Sequence, residues 1–325
     1  MSSTPLRILV TGASGFVGGQ LIPRLLAQGR AVRAFVRRPA QLREQTWARS
    51  VEIVAGDVLA PETLASALDG VHTAYYLVHS MTSGAGYTER DLVAARNFAR
   101  AAATAGVRHI IYLGALADPA DTVGCHLRSR IDTGAALREG PVPVTEFRVG
   151  VIAGEGSLSF RMIRRVTESL PVIPGSPWLQ HRTQPLAAQN VVDYLVAALD
   201  KPGSQGRVFE IGGPEVTTYA ELMLAYARVR GLRRRVVTIP GLPVWLIALG
   251  IGMLTPVQSS VARAVAGGLA SDSVVAHDDA LRAFPEVRLV DFESAARAAI
   301  NASQHFGQGG AAQPPAAWAG ALEWR

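Results

Sequence analysis

Arg7-Ile8-Leu9-Val10-Thr11-Gly12-Ala13-Ser14-Gly15-Phe16-Val17-Gly18 is the stretch that decides the fold. An apolar run from Ile8 to Val10 enters a turn carrying glycines at 12, 15 and 18, and a helical pattern follows as far as Gln28, where Gly29 stops it. The three glycines serve different ends. Gly12 permits the tight turn, Gly15 lets backbone approach a pyrophosphate, and Gly18 lets the helix lie close on the strand. The helix N-terminus adds N–H donors and the positive end of a dipole, which suits an anion. A glycine triplet alone is a weak signal. Here it stands between a strand and a helix, and the next strand-like run, Ala31 to Val36, comes at the expected interval. Gly12, Ser14, Gly15, Phe16, Val17 and Gly18 are therefore the expected phosphate cradle of a dinucleotide.

Working outward, the second run ends on Arg37 and Arg38, where an NAD site would place an acidic residue for the ribose hydroxyls. Arginine there favours a 2′-phosphate, so NADP(H) is the expected cofactor, with NAD(H) left open; the alternative is a pair of solvated surface arginines. Asp57 and Val58 follow the third run and are placed to meet the adenine, although a plain turn aspartate fits equally. Leu77, Val78 and His79 follow the fourth run, on the side expected to line the nicotinamide, flanked by Tyr75, Tyr76 and Ser80. His79 either orients substrate or cofactor or bonds to loop backbone.

Apolar runs at Arg7 to Val10, Ala31 to Val36, Val51 to Val54, Thr73 to Leu77, His109 to Leu113 and Val144 to Arg148 alternate with helical patterns at Gly15 to Gln28, Pro61 to Ala67, Tyr87 to Ala105 and Arg128 to Glu139. That rhythm predicts an α/β protein with a doubly wound parallel sheet of the Rossmann type. Residues 1–152 are read as the dinucleotide-binding domain. Residues 153–306 are read as a mixed region in which about 186–213 returns to the sheet, with a helix near Asn190 to Leu199 and a strand at Arg207 to Ile211, and the rest forms a smaller substrate lobe. The Gly-, Ala- and Pro-rich residues 307–325 read as a flexible tail.

Composition narrows the function classes. At 49% hydrophobic and 18% charged, the 325-residue chain has the balance of a packed globular protein rather than a disordered one. The net charge of +6 is spread out apart from Arg228, Arg230, Arg233, Arg234 and Arg235, so no nucleic-acid partner is expected. Cys125 is the only cysteine, which excludes an intrachain disulfide and a cysteine metal cluster; no metal is expected. No secretion signal is read at the start, so the expected location is the cytoplasm.

The glycine spacing, Gly56-Asp57-Val58, and the segment Phe147 to Gly154 together resemble the extended and atypical short-chain dehydrogenase/reductases, with the NmrA-like bacterial branch nearest in pattern. Ala74 to Met81, Glu89-Arg90-Asp91 with Ala95 to Phe98, His126 to Arg130, Arg207 to Pro214 and Tyr226 to Arg228 look like signature boxes of one subgroup, so the resemblance spans residues 6 to about 300. It implies a Rossmann domain with a small C-terminal lobe, NAD(P)(H) as cofactor, and oxidoreductase activity on an unspecified small molecule.

The resemblance fails at the catalytic center. The family's Tyr-x-x-x-Lys pair cannot exist, because Lys201 is the only lysine and has Ala197 four residues before it. Aligning the helix that carries the pair puts His126 at the tyrosine, Arg130 at the lysine and Gly134 at a customary Glu, while Gly114-Ala115 stand at the serine. His126 is the expected proton donor or acceptor, exchanging a proton near pH 6.5, and Arg130 the electrostatic anchor; positions i and i+4 share a helix face. The plainer reading makes His126 a helix cap and Arg130 a solvated side chain. Cys125 reads as a small buried hydrophobe.

The uncharged segment 243–256, too short to span a bilayer, reads as a roof over an apolar pocket, with peripheral membrane contact the alternative. A homodimer is compatible with the pattern. The leading expectation is NADPH-dependent reduction of a small, apolar carbonyl, enone or quinone-like substrate. A non-catalytic dinucleotide-binding redox sensor or assembly factor is the runner-up, since it would keep the cradle and lose the proton-transfer residues; a sugar-nucleotide epimerase is weaker, needing the same missing pair.

Overall fold

The computed structural model describes residues 6–79, 86–117, 124–242, 246, 249, 250, 268, 269 and 271–308. Seven strands, β1 (Arg7–Thr11), β2 (Ala31–Val36), β3 (Glu52–Ala55), β4 (Val71–Tyr76), β5 (His109–Ala115), β6 (Val144–Val149) and β7 (Val208–Ile211), pair in parallel in the order β7-β6-β5-β4-β1-β2-β3. The helices are α1 (Phe16–Ala27), α2 (Pro61–Leu68), α3 (Tyr87–Thr104), α4 (Cys125–Arg138), α5 (Leu158–Ser169), α6 (Ala188–Ala197), α7 (Tyr219–Val229), α8 (Asp279–Ala283) and α9 (Phe292–Gln308).

The sheet is covered on both faces, which is why its central strands are nearly continuous apolar runs; every residue of β5 is buried. Leu21, Ile22 and Leu25 of α1, Val191, Val192 and Leu195 of α6, and Phe284 beyond α8 close one face. Leu64 and Leu68 of α2, Ala95 and Phe98 of α3, and Leu137 of α4 close the other. A third buried cluster joins Phe160 and Ile163 of α5, Leu222 and Tyr226 of α7, and Ala296 and Ile300 of α9. It is tied to the sheet's carboxyl side through Val151 and Ala153.

Several element boundaries differ from the sequence reading. β4 begins at Val71 rather than Thr73, and α4 begins at Cys125 rather than Arg128, so that it contains His126. The inward residues of α4 are Ser129, Thr133, Gly134, Ala136 and Leu137, a face too polar to show an apolar period. The segment 243–256, read as a pocket roof or membrane contact, lies outside the described residues except for Leu246, Leu249 and Gly250; both leucines are exposed. Of the tail, Gly307 and Gln308 end α9 and 309–325 lie outside the described residues. Among the described residues, no helix is long and apolar enough to cross a membrane. The arginine cluster is largely engaged: Arg228 pairs with Glu293, Arg230 with Glu168, and Arg234 donates to the carbonyls of Thr167 and Glu168.

Candidate functional site

The strand order reverses between β4 and β1, and the crevice outside their carboxyl ends is where a doubly wound sheet takes a ligand. Thr11 locks the two ends together. Its hydroxyl donates to the Tyr75 carbonyl and accepts from the Leu77 N–H, both at 3.0 Å. Gly12 has φ +65° and is packed so closely that a Cβ would lie 2.6 Å from the Leu77 carbonyl oxygen, and a Cβ on Gly18 would lie 2.4 Å from the Gly12 oxygen. At Gly15 the only close neighbour of a Cβ is the Gly12 oxygen, 3.0 Å away, and the rest is open. The first-turn N–H groups of α1, Phe16 and Val17 among them, have no acceptor within the helix. Open space over Gly15, close backbone, and those donors fit a pyrophosphate.

Arg37 and Arg38 stand exposed beyond β2. Asp57 serves the turn it sits in: its Oδ1 accepts from the Leu59 N–H at 3.0 Å. Val58 turns its side chain into the α2–α3 core, and its carbonyl accepts from Asn97 Nδ2 at 3.3 Å.

At the other end lies a cavity of about 320 Å³. Leu113, Val151, Met162, Ile163, Met223 and Leu269 give it apolar walls, while His79, His126, Arg130, Tyr219 and Ser273 supply polar groups. Phe16 of the cradle lines it too, so cradle and cavity are continuous. His79 and His126, forty-seven residues apart, meet at 3.1 Å through Nε2 and Nδ1. His79 Nδ1 lies 3.1 Å from Asp91 Oδ2, which also accepts from the Ser129 hydroxyl at 3.1 Å. The Tyr87 ring meets His79 edge-on, centroids 6.3 Å apart. The guanidinium of Arg130 stands 5.4 Å over the Tyr112 ring and donates to the Leu113 carbonyl, and the Tyr112 hydroxyl donates to the Arg130 carbonyl at 2.8 Å. Both residues expected on one face of α4 thus reach the cavity.

Several expectations are corrected. Burial first, then His79 and Arg130, pushes His126 down to about 3, so the isolated ring is neutral at neutral pH and does not titrate near 6.5. Burial also lowers His79, against the pull of its bond to Asp91. Tyr75 and Tyr76 do not flank the site: both are fully buried, Tyr75 donating to the Leu195 carbonyl at 2.8 Å and Tyr76 packing on Phe98 and Tyr112. Cys125 is exposed, not buried. Ser80 lies outside the described residues. Lys201 bonds the Ala283 carbonyl and Glu286, neither of which lines the cavity.

Asp91 and Ser129 were missed as site residues. A signal was present: Asp91 stands three, four and seven residues before Ala94, Ala95 and Phe98, on the apolar face of α3, and a carboxylate there demands a partner.

The sequence profile of an NAD(P)H-binding family matches residues 12–126. A (4-alkanoyl-5-oxo-2,5-dihydrofuran-3-yl)methyl phosphate reductase of Streptomyces griseus is 31% identical over 231 residues, covering 69% of this chain and 74% of its own. The chain belongs to the NAD(P)H-binding, atypical short-chain dehydrogenase/reductase family. Within that family an NAD(P)H azoreductase of Xenophilus azovorans is 28% identical over 238 residues, 71% of this chain and 77% of its own. The fold is shared with the triphenylmethane reductase of Citrobacter sp. in complex with NADP(H), at TM-score 0.71 and 22% identity over 90% of this chain and 100% of that one. It is shared as well with an NADPH-dependent quinone oxidoreductase of Escherichia coli in complex with NADPH, at TM-score 0.69 and 20% identity over 92% and 99% of the two chains. Where the resemblance expects a tyrosine and a lysine, α4 of this chain carries His126 and Arg130.

Proposed function

We propose that the protein is an NADPH-dependent reductase of a small, flat, largely apolar acceptor with a carbonyl, enone or quinone-like group, and that His126 delivers the proton. The observation that carries this reading is the cavity of about 320 Å³, apolar on most sides, continuous with the cradle at Phe16 and edged by His126 and Arg130. It has the size and lining of a small-molecule site. Azo, quinone and triphenylmethane acceptors, named for the relatives, are flat and apolar, and such a molecule suits these walls.

NADPH, when bound, supplies the hydride. The Phe16 and Val17 amides with Ser14 hold its phosphates, Arg37 and Arg38 favour the 2′-phosphate, Asp57 and Val58 border the adenine, and Leu77 to His79 border the nicotinamide. With Nδ1 engaged by His79, His126 has Nε2 left for an occupant of the cavity. Arg130 stabilises negative charge developing on the acceptor with its guanidinium charge and leaves the proton transfer to His126. The signature boxes are read as those of the NmrA-like branch.

The test is NADPH oxidation against a panel of quinones, azo dyes, triphenylmethane dyes and enones. Turnover of at least one is expected. His126→Ala should lower kcat about a hundredfold or more and leave the NADPH Kd unchanged, since general acid catalysis contributes about two to four powers of ten. Tight NADPH binding with no turnover anywhere in the panel would favour a dinucleotide sensor instead.

A further inference from the structure

We propose that Asp91 and His79 are positioning residues that form with His126 a three-membered proton relay, in which the two imidazoles together hold a single transferable proton and its charge rests on His79. The proposal builds on the reading of His126 as proton donor. It begins from donor and acceptor bookkeeping. The carboxylate oxygen Asp91 Oδ2 only accepts, and it is met by the Ser129 hydroxyl and by His79 Nδ1, each at 3.1 Å, so His79 carries a hydrogen on Nδ1. Asp91 is buried, at 4% exposure, which makes that pairing compulsory in either charge state of the rings.

Two states of the pair follow. In the neutral one, His79 Nε2 is bare and accepts from His126 Nδ1–H across 3.1 Å, leaving His126 Nε2 bare toward the cavity. In the protonated one, His79 carries hydrogens on both nitrogens, its Nε2–H donates to His126 Nδ1, and His126 bears its hydrogen on Nε2. The positive charge then lies on the ring beside Asp91. His126, the ring that burial and Arg130 keep from holding charge, passes a proton without becoming an imidazolium.

During reduction the acceptor gains an electron pair with the hydride from NADPH. The His126 Nε2–H bond then breaks as an O–H or N–H bond forms on the reduced acceptor, and the His79 Nε2 hydrogen passes to His126 Nδ1. The unit positive charge of the pair and the unit negative charge of the reduced acceptor are cancelled together, and one solvent proton restores the pair. Among the described residues, the titratable and charged groups around the rings are Asp91 and Tyr87 from α3 and Arg130 and Cys125 from α4. Asp91 favours the protonated pair and Arg130 opposes it.

The experiment is a long-range ¹H–¹⁵N spectrum of the ¹⁵N-histidine-labelled protein, free of nucleotide and acceptor, followed from about pH 8 downward. Both rings are expected as the Nδ1–H tautomer at pH 8, and both should respond to one shared midpoint. His79→Phe keeps the ring shape and removes the acceptor, so His126 should revert to Nε2–H. Asp91→Asn should move the shared midpoint down by about one pH unit or more, as loss of an opposite charge at this range does. In an acceptor assay the same substitution should carry the pH limb of kcat down with it and leave the NADPH Kd unchanged. His126 found as Nε2–H in the parent, or two rings titrating independently, overturns the relay even if a variant fails to fold. If no acceptor is turned over but the tautomers are as expected, the reductase reading fails and the relay stands.

Discussion

Replacing Gly12 with alanine tests whether the cradle is built by backbone contact. Gly12 has φ +65°, and alanine in that region costs about 1 kcal/mol. Its Cβ would stand 2.6 Å from the Leu77 oxygen and 2.9 Å from the Leu77 carbonyl carbon, where ordinary contact begins at 3.4 Å, so the end of β4 must retreat by most of an ångström. That retreat stretches the 3.0 Å bond from the Leu77 N–H to the Thr11 hydroxyl, worth about 1 kcal/mol. Together the strain, the misplaced strand end and the weakened bond amount to about 2–4 kcal/mol, within the range of a special-conformation glycine. For a chain of this size that is a fall in Tm of about 3–6 °C. If Leu77 to His79 border the nicotinamide as proposed, the NADPH Kd should rise about tenfold or more, a change equivalent to about 1.4 kcal/mol. Gly19→Ala is the control. It lies on α1 just past the cradle, its Cβ would meet nothing within 4 Å, and the substitution should raise stability by about 0.5–1 kcal/mol. Thermal unfolding with and without NADPH reads both. If Gly12→Ala matches the parent in Tm and Kd, the argument from close approach is wrong.

Arg37→Ala should leave NADH affinity unchanged and weaken NADPH by about tenfold or more, the worth of one charge-assisted contact to an exposed phosphate; equal affinities of the parent for the two cofactors in a fluorescence titration would sink the assignment. His109, buried with its Nε2–H on Thr145 Oγ1 at 2.8 Å, is pushed down to about 4 by burial and then by His72. The unfolded ring takes up a proton near about pH 6.5 and the native ring does not until about 4, so stability present above pH 6.5 should be lost on acidification between those values, read as a falling urea midpoint that His109→Gln flattens.

The cradle and the sheet were legible because both rest on local pattern. Ile8 to Val10 and the three glycines carry their geometry in their own residue types, and the strand–helix alternation leaves only right-handed crossovers to consider. The polar side of the cavity was half legible. His126 and Arg130 could be placed by position on a helix, and His79 by position after a strand, yet nothing local joins His79 to His126 across forty-seven residues. The depressed titration of His126 was not legible at all, since it arises from burial, His79 and Arg130 acting together in the folded state. Tyr75 and Tyr76 misled for a related reason. Successive strand residues point to opposite faces, and a strand covered on both faces buries both.

The seating of α4 bears on the proposed role of His126. The helix has little apolar surface to bury, so its position depends on polar contacts at both ends. At its start, Asp91 of α3 receives Ser129 directly and His126 through His79. Toward its end, Gly134 stands where the resemblance expects a glutamate, and a Cβ there would lie 2.5 Å from Oε2 of Glu146. The acid has returned from a different element: Glu146 of β6, fully buried, fills the space and pairs with Arg138 of α4 and with Arg148, the latter at 2.7 Å. In between, Arg130 and Tyr112 tie the helix to β5 through the Leu113 and Arg130 carbonyls. A buried carboxylate that loses its partner costs about 3–5 kcal/mol, so neither clamp can slacken without the other feeling the helix move. The groups that hold α4 against the sheet are thus the groups that hold His126 at the cavity. A tyrosine with a lysine beside it would have to fit between the same two acids, whereas a histidine backed by His79 uses one of them as its counter-charge.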